Sequence, residues 1–340
     1  MVGTPYEKNG KTKPAFCAGG DVKKVYLAGI GKEDNKSLTA DFFREEYQLN
    51  HMIATQAPHL PQVSIWDGVV MGGGVGLSVH GKYRVATERT MFAMPETKIG
   101  LFPDVGGSWW IPRLKLYSQW KSGLVGGVGN YLALTGNRLS AEDLIYAGIA
   151  THYVKSENLD DLKSALAEST TRSSADDPNS DCVASVLMSF HDHNVDTKSS
   201  FLSQNRADID YAFDGKDTME EIIDALESMG EDSQFGQSTL KTLKQMSPTS
   251  LKVTLEGLKR GAKVSSVGEA LQMEYRMSQA FMREGSDFYE GIRAALVDKD
   301  GKPKWSPASL DEVTDDIVQS HFEPLGDKEL DLNAIGSAKL

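Results

Sequence analysis

The chain has 340 residues, 40% of them hydrophobic and 25% charged, which is ordinary for a globular protein able to bury a sizeable core. Its formal charge of −12 argues against a general role on nucleic acid or a membrane surface, since both need a positive field. No apolar run is long enough to span a bilayer, and two cysteines, Cys17 and Cys182, are too few for a disulfide framework.

The chain opens on a polar, turn-rich segment, MVGTPYEKNGKTKP, with neither the apolar nor the Arg-rich pattern of a leader. Phe16-Cys-Ala-Gly-Gly-Asp21 then reads as a small-residue turn after a strand end. Asp21 suits a helix cap, and the small side chains let a backbone N–H approach a ligand. Phe43, Tyr47, Met52 and Ile53 recur at helical spacing, which predicts a helix over Phe42–Thr55. Val63–Trp66 and Val69–Met71 read as strands joined through Asp67-Gly68. The run Met71-Gly-Gly-Gly-Val-Gly76 leads into a short buried helix expected at Gly76–His80, and strands follow at Tyr83–Ala86 and Met91–Met94. Short strands alternating with helices predict an α/β core.

Three glycines between a strand and a helix suit an anion or oxyanion, because free N–H groups and the helix dipole point the same way. Leu77 breaks the GxGxxG spacing there, and Leu132 breaks it after Gly126-Gly-Val-Gly129, so no dinucleotide site is expected. The loop Met94-Pro-Glu-Thr-Lys-Ile-Gly-Leu-Phe-Pro-Asp-Val-Gly-Gly107 sets Glu96 and Asp104 among apolar residues beside Trp109 and Trp110. Carboxyls with so little polar company acquire raised pKa values, which suits acid–base or nucleophilic work. Each segment also has a plainer reading alone: a capped turn, packing glycines, turn-capping acids. A Ser-His-Asp hydrolase is disfavoured because no G-x-S-x-G elbow is present.

Further on, Ser140 reads as a cap with Asp143 three positions on, and the polar stretch 168–200 reads as loops around one helix, Cys182–Phe190. His191 and His193 are a close pair but supply too few ligands, so no metal is expected. The remainder is mostly helical, with amphipathic patterns over Thr218–Leu226 and Leu251–Leu258 and Pro248 suited to a first turn.

Together the FCAGGD turn, the glycine run and the Glu96–Asp104 loop resemble the crotonase, or enoyl-CoA hydratase/isomerase, superfamily. The resemblance implies an α/β fold, a crotonase-like spiral of ββα units over 1–172, a largely helical region over 173–335 and a tail at 336–340. It also implies an oxyanion hole made by the N–H groups of Ala18 and Gly73. Within the superfamily, FFREEY with Glu46, MGGGVGLSVHG, AMPETKIGLFPDVGG, SPTSLKVTLEGLKRG, MEYRMSQA and DFYEGIRAALVDKDGKPKW are similar to the 3-hydroxyisobutyryl-CoA hydrolase subgroup. That similarity covers most of 15–325. It makes Glu96 the nucleophile or general base and Asp104 its partner in proton transfer. Glu46, Gly73, Glu96 and Asp104 would contact the hydroxyacyl group. The implied activity is hydrolysis of a short hydroxyacyl-CoA thioester in valine breakdown, with no cofactor beyond the substrate's own coenzyme A. The implied partner is acyl-CoA, with neither nucleic acid nor membrane, in a possible homo-oligomer.

Hydratases of the superfamily carry a second glutamate where this chain has Gly76, so hydratase or isomerase activity is the second reading. A catalytically silent acyl-CoA-binding protein is the third. Two departures stand out: the family has several dozen residues ahead of the FCAGGD turn, so the first core strands are expected to be short or missing, and Lys115–Gly129 is a longer connection than usual. The last three residues, Ala338-Lys339-Leu340, vary the Ser-Lys-Leu address and predict a peroxisomal location. The subgroup resemblance makes mitochondria the alternative.

Overall fold

A computed structural model describes residues 1–8, 11–35, 37–56, 61–115, 127–172 and 182–332. Its core is two small parallel sheets threaded alternately. Strands β4 (Val63–Trp66), β6 (Tyr83–Ala86) and β8 (His152–Tyr153) form one sheet in the order β4-β6-β8, and β3 (Ala15–Cys17), β5 (Val69–Met71) and β7 (Met91–Ala93) form the other in the order β3-β5-β7. Register is continuous along both ladders, Val63↔Tyr83 to Trp66↔Ala86 and Val69↔Met91 to Met71↔Ala93. These strands are mostly covered, with Ile65, Trp66 and Val70 buried, so VSIW and VVM are nearly all apolar rather than alternating; Ser64 is buried too and accepts from the Gln62 side-chain amide at 2.9 Å. Each ββ unit adds one strand to each sheet, so the chain climbs as a spiral.

The corner between β4 and β5 depends on Gly68. Its φ is +93°, and a Cβ there would lie 2.0 Å from the Pro14 carbonyl oxygen, so only glycine fits. Asp67 beside it accepts from the Arg89 guanidinium at 2.7 and 2.5 Å and from the Thr87 hydroxyl at 3.0 Å, which fixes the corner.

Helix α1 (Val22–Gly29) starts at Asp21, whose side chain accepts from the Lys24 N–H at 3.1 Å as the cap reading requires. Helix α2 (Leu38–Gln56) is longer at both ends than the apolar spacing indicated, and Phe43 and Tyr47 are its buried face. Helix α3 (Gly73–Val79) begins at Gly73 rather than Gly76. Tertiary packing moves that boundary: a Cβ on Gly74 would stand 2.5 Å from the Cys17 carbonyl oxygen, so the glycines themselves form the first turn, pressed on β3.

The chain start is more ordered than its polar composition indicated. A ribbon, β1 (Tyr6–Lys8) with β2 (Lys11–Lys13), is antiparallel, and Val2 bridges Ile65 on the outer edge of β4. The first core strand, β3, is three residues long. A second correction concerns 168–172, expected as loop: these residues continue the helix Leu159–Arg172, and the buried Ser169 hydroxyl donates back to the Leu166 carbonyl at 2.9 Å. Cys182–Phe190 is helical as expected. Of Lys115–Gly129, residues 116–126 lie outside the described residues, as do 173–181 and the tail tripeptide.

The remaining helices close over the sheets. Thr218 and Glu221 form a capping box for Met219–Ser228, Ser140 and Asp143 another for Ala141–Tyr146, and Pro248 opens Pro248–Gly261. Helix Val267–Phe281 packs along α2. One buried apolar cluster runs from Phe16 through Trp66 and Tyr131 to Tyr275 and Phe322, so strands and helices share a core. Among the described residues no helix is long and apolar enough to cross a membrane.

Candidate active site

A cavity of about 590 Å³, part of it open to solvent, lies where the FCAGGD turn, α2, the glycine run and the Glu96–Asp104 loop meet. Ala18, Glu46, Gly73, Glu96 and Asp104 all line it, with Phe42, Phe43, Ile99 and Leu101 as its apolar wall. Residues separated by up to 86 positions, from Ala18 to Asp104, are thus brought to one place by the spiral.

Each functional side chain has a local reason for its aim. Gly73 is the first residue of α3, so helix geometry leaves its N–H without an intrahelical acceptor. Ala18 directly follows β3, and Gly19 (φ +99°) turns the chain so that the two glycine segments face each other. Glu96 opens a 3₁₀ turn, Glu96–Ile99, just past β7. Its Oε1 stands 3.1 Å from the place of a Cβ on Gly72, and Glu46 Oε1 stands 2.3 Å from that place on Gly73. Both carboxyls therefore lie over glycine backbone, and a side chain at either position would displace an acid. Asp104 Oδ2 accepts from the Tyr47 hydroxyl at 2.9 Å. Reading the residues one segment at a time missed Tyr47: it belongs to the apolar face of α2, and its polar tip is informative only once a partner is in reach.

The electrostatics are those of crowded, buried acids. Burial, and then the Asp104 charge, push Glu46 up to about 8. Burial pushes Asp104 up to about 6, against the Tyr47 hydroxyl bond that lowers it. Glu96 is raised well above the usual range by burial and by Asp104, and its Oε2 is buried with no hydrogen-bond partner. Outside the cavity, burial pushes Glu274 up to about 8, although Gly106 and Ser108 donate to it. The group closest to normal, Asp104, ionises first, and its charge then disfavours the others, so the cluster titrates as a set.

A stability consequence follows. These acids bind protons more tightly folded than unfolded, so the stability they contribute is complete below their ordinary values near 4 and is lost as pH rises through about 6 and then 8. Thermal melting should fall as pH goes from 5 to 8.5, and Glu46→Gln, which cannot ionise, should lessen the slope. A slope unchanged in the folded variant would show that Glu46 is not held with a raised pKa.

Gly76 has its own geometry. A Cβ there would meet the Val105 Cβ at 2.6 Å and Asn50 Nδ2 at 2.9 Å. The space that a second glutamate would enter is already filled by Val105 and Asn50, which weighs against the hydratase reading. The paired His191 and His193 sit ring to ring at 4.6 Å, and His191 Nδ1 accepts from the Tyr153 N–H at 3.0 Å, so that nitrogen is committed to backbone structure.

Two interleaved parallel sheets that bring glycine backbone and acids to one cavity define a crotonase-type enzyme architecture. The chain belongs to the enoyl-CoA hydratase/isomerase family, which matches residues 8–322. It is 46% identical over 326 residues to the mitochondrial 3-hydroxyisobutyryl-CoA hydrolase of Dictyostelium discoideum, covering 94% of this chain and 80% of that one. It is 49% identical over 321 residues to the mitochondrial 3-hydroxyisobutyryl-CoA hydrolase of Xenopus laevis, covering 94% and 76%. A solved carnitinyl-CoA dehydratase from Mycobacterium thermoresistibile shares 36% identity and superposes with a TM-score of 0.78, covering 93% of this chain and 82% of that one.

Proposed function

We propose that the protein hydrolyses the thioester of 3-hydroxyisobutyryl-CoA, releasing 3-hydroxyisobutyrate and coenzyme A in valine breakdown. The observation that carries this is the meeting of Glu46, Glu96, Asp104 and the glycine backbone at one cavity while position 76 has no room for a second glutamate. The relatives that match over most of their length carry that activity in their names.

In this reading the thioester oxygen lies against the N–H groups of Ala18 and Gly73. Attack at the carbonyl carbon turns it into an oxyanion, which preorganised donors in a dry site stabilise by several kcal/mol. Glu96, as its carboxylate, either attacks the carbonyl to form an anhydride or takes a proton from the attacking water; both require it at the carbonyl carbon. The reacting form carries the proton on Asp104 and the charge on Glu96, the reverse of the order in which the cluster ionises without substrate. Collapse of the tetrahedral species breaks the C–S bond as Asp104 gives its proton to the departing thiolate. On the anhydride route a water then cleaves the anhydride, freeing 3-hydroxyisobutyrate and Glu96 and returning a proton to Asp104. Glu46 holds the substrate hydroxyl. A silent acyl-CoA binder gains nothing from buried acids that cost stability when they ionise, so the enzyme reading is favoured.

The direct test is turnover on 3-hydroxyisobutyryl-CoA beside a short enoyl-CoA, following free thiol in the first and loss of the double bond in the second. Thiol release without hydration is expected; hydration without thiol release would establish the other activity, and tight binding with neither would establish a binder. For location, the relatives' mitochondrial names favour mitochondria over the peroxisomal address expected from Ala338-Lys339-Leu340. A fluorescent protein fused ahead of the last ten residues separates the two: peroxisomal signal would restore the tail's address.

A further inference from the structure

Asp104 is followed by two residues in the left-handed region, Val105 (φ 51°) and Gly106 (φ 82°). Glycine adopts this freely, but a β-branched residue does so only where its surroundings over-determine it. The peptide unit joining the two is gripped at both ends. Its carbonyl, on Val105, accepts from His80 Nε2 at 2.8 Å, and its N–H, on Gly106, donates to Glu274 Oε2 at 2.6 Å. A carbonyl can only accept, so Nε2 carries the ring proton; burial pushes His80 down to about 4, which keeps the ring neutral. The other oxygen of Glu274 accepts from the Ser108 N–H at 2.8 Å and the Ser108 hydroxyl at 2.6 Å, and Glu274 is completely buried. The His80 ring also fills the place of a Cβ on Gly106, 2.5 Å away, so the loop is seated on it.

The two grips come from elements already tied to the site. His80 ends α3, whose first residue is Gly73, and Glu274 lies on Val267–Phe281, packed along the α2 helix that carries Glu46 and Tyr47. We propose that His80 and Glu274 are positioning residues acting through Asp104: by fixing the Val105–Gly106 peptide plane from opposite sides, they keep the Asp104 carboxyl against the Tyr47 hydroxyl and facing the cavity. This rests on the hydrolase reading of the same site. It assigns work to a glutamate in the MEYRMSQA string and to a histidine in the glycine-run string, neither of which touches the cavity.

The experiment is steady-state thiol release from 3-hydroxyisobutyryl-CoA by the full chain carrying His80→Leu, His80→Gln, Glu274→Gln or Ser108→Ala, each alone and combined with Asp104→Asn. Melting curves identify which variants are folded. His80→Leu and Glu274→Gln should lower kcat by about 10- to 100-fold, as small misplacements of a catalytic group do, with KM little moved. His80→Gln, which keeps a donor at similar reach, should recover most of that loss. On the Asp104→Asn background, neither grip variant should cost anything further, since the residue through which it acts is already disabled. Losses as large on that background as on the wild type would mean a general structural role and overturn the proposal, as would wild-type kcat in folded His80→Leu and Glu274→Gln. If Glu274→Gln does not fold, the His80 pair and Ser108→Ala decide by the same criteria. Wild-type enzyme that releases thiol while Asp104→Asn is equally fast would remove Asp104 from the mechanism and the grip with it. No thiol release by wild type would instead fail the hydrolase reading itself.

Discussion

Glu96→Gln should abolish most hydrolysis while leaving the fold intact. The side chain lies 5% exposed at the start of its 3₁₀ turn, so an amide of the same shape keeps the packing. The amide removes a buried acid whose Oε2 has no protein partner, so no internal hydrogen bond of that atom is lost and stability should hold or rise. The amide neither takes a proton from water nor attacks a thioester. Loss of a general base alone costs about 10²–10⁴-fold in rate, and loss of a covalent nucleophile at least as much. The measurement is kcat for thiol release from 3-hydroxyisobutyryl-CoA by a variant with a wild-type melting curve. More than about a tenth of wild-type turnover would place the chemistry elsewhere, given that range.

Asp104→Asn should act differently, and its pH profile separates the two acids. The amide oxygen can still accept from the Tyr47 hydroxyl, so the loop keeps its aim. Turnover should fall by about 10²–10⁴-fold if the carboxyl protonates the leaving thiolate, with KM changing far less. The Asp104 charge also raises both Glu46 and Glu96. Glu96 must be ionised to react, so wild-type kcat/KM should rise with pH along its acid limb. Without the neighbouring anion, Glu96 ionises more easily, and the acid limb of the residual activity should move to lower pH. An unmoved or upward-shifted limb would mean that the two carboxyls are not electrostatically linked.

The candidate site was largely legible as segments. Small residues at 18–20, glycines at 72–74 and acids in an apolar loop are local signals, because each depends on what a residue lacks: a Cβ, or polar neighbours. One of the plainer readings held as well. Asp21 does cap α1 while its turn lines the cavity. Local signals did not show how the segments support one another. Glu274 lies 170 positions from Asp104 in a region that the sequence marks only as mostly helical, and nothing near it in the chain shows that its partners are Gly106 and Ser108.

Composition, glycine placement and hydrophobic period by themselves determined the α/β core, the strands at 63–66 and 69–71, the helix caps at Asp21 and Ser140, and the segments that carry the acids. These features depend on interactions within a few residues: φ permission at glycine, cap hydrogen bonds, apolar runs able to be covered on both faces. Only the tertiary structure decided that α3 starts at Gly73, that Val105 and Asn50 occupy the space beside Gly76, and that Tyr47, His80 and Glu274 converge on the Asp104 loop. Those outcomes depend on distances between segments far apart in the chain. The spiral sets them by packing β3, α2, α3 and Val267–Phe281 against one another, and burial then raises the acids that the chain could only place together.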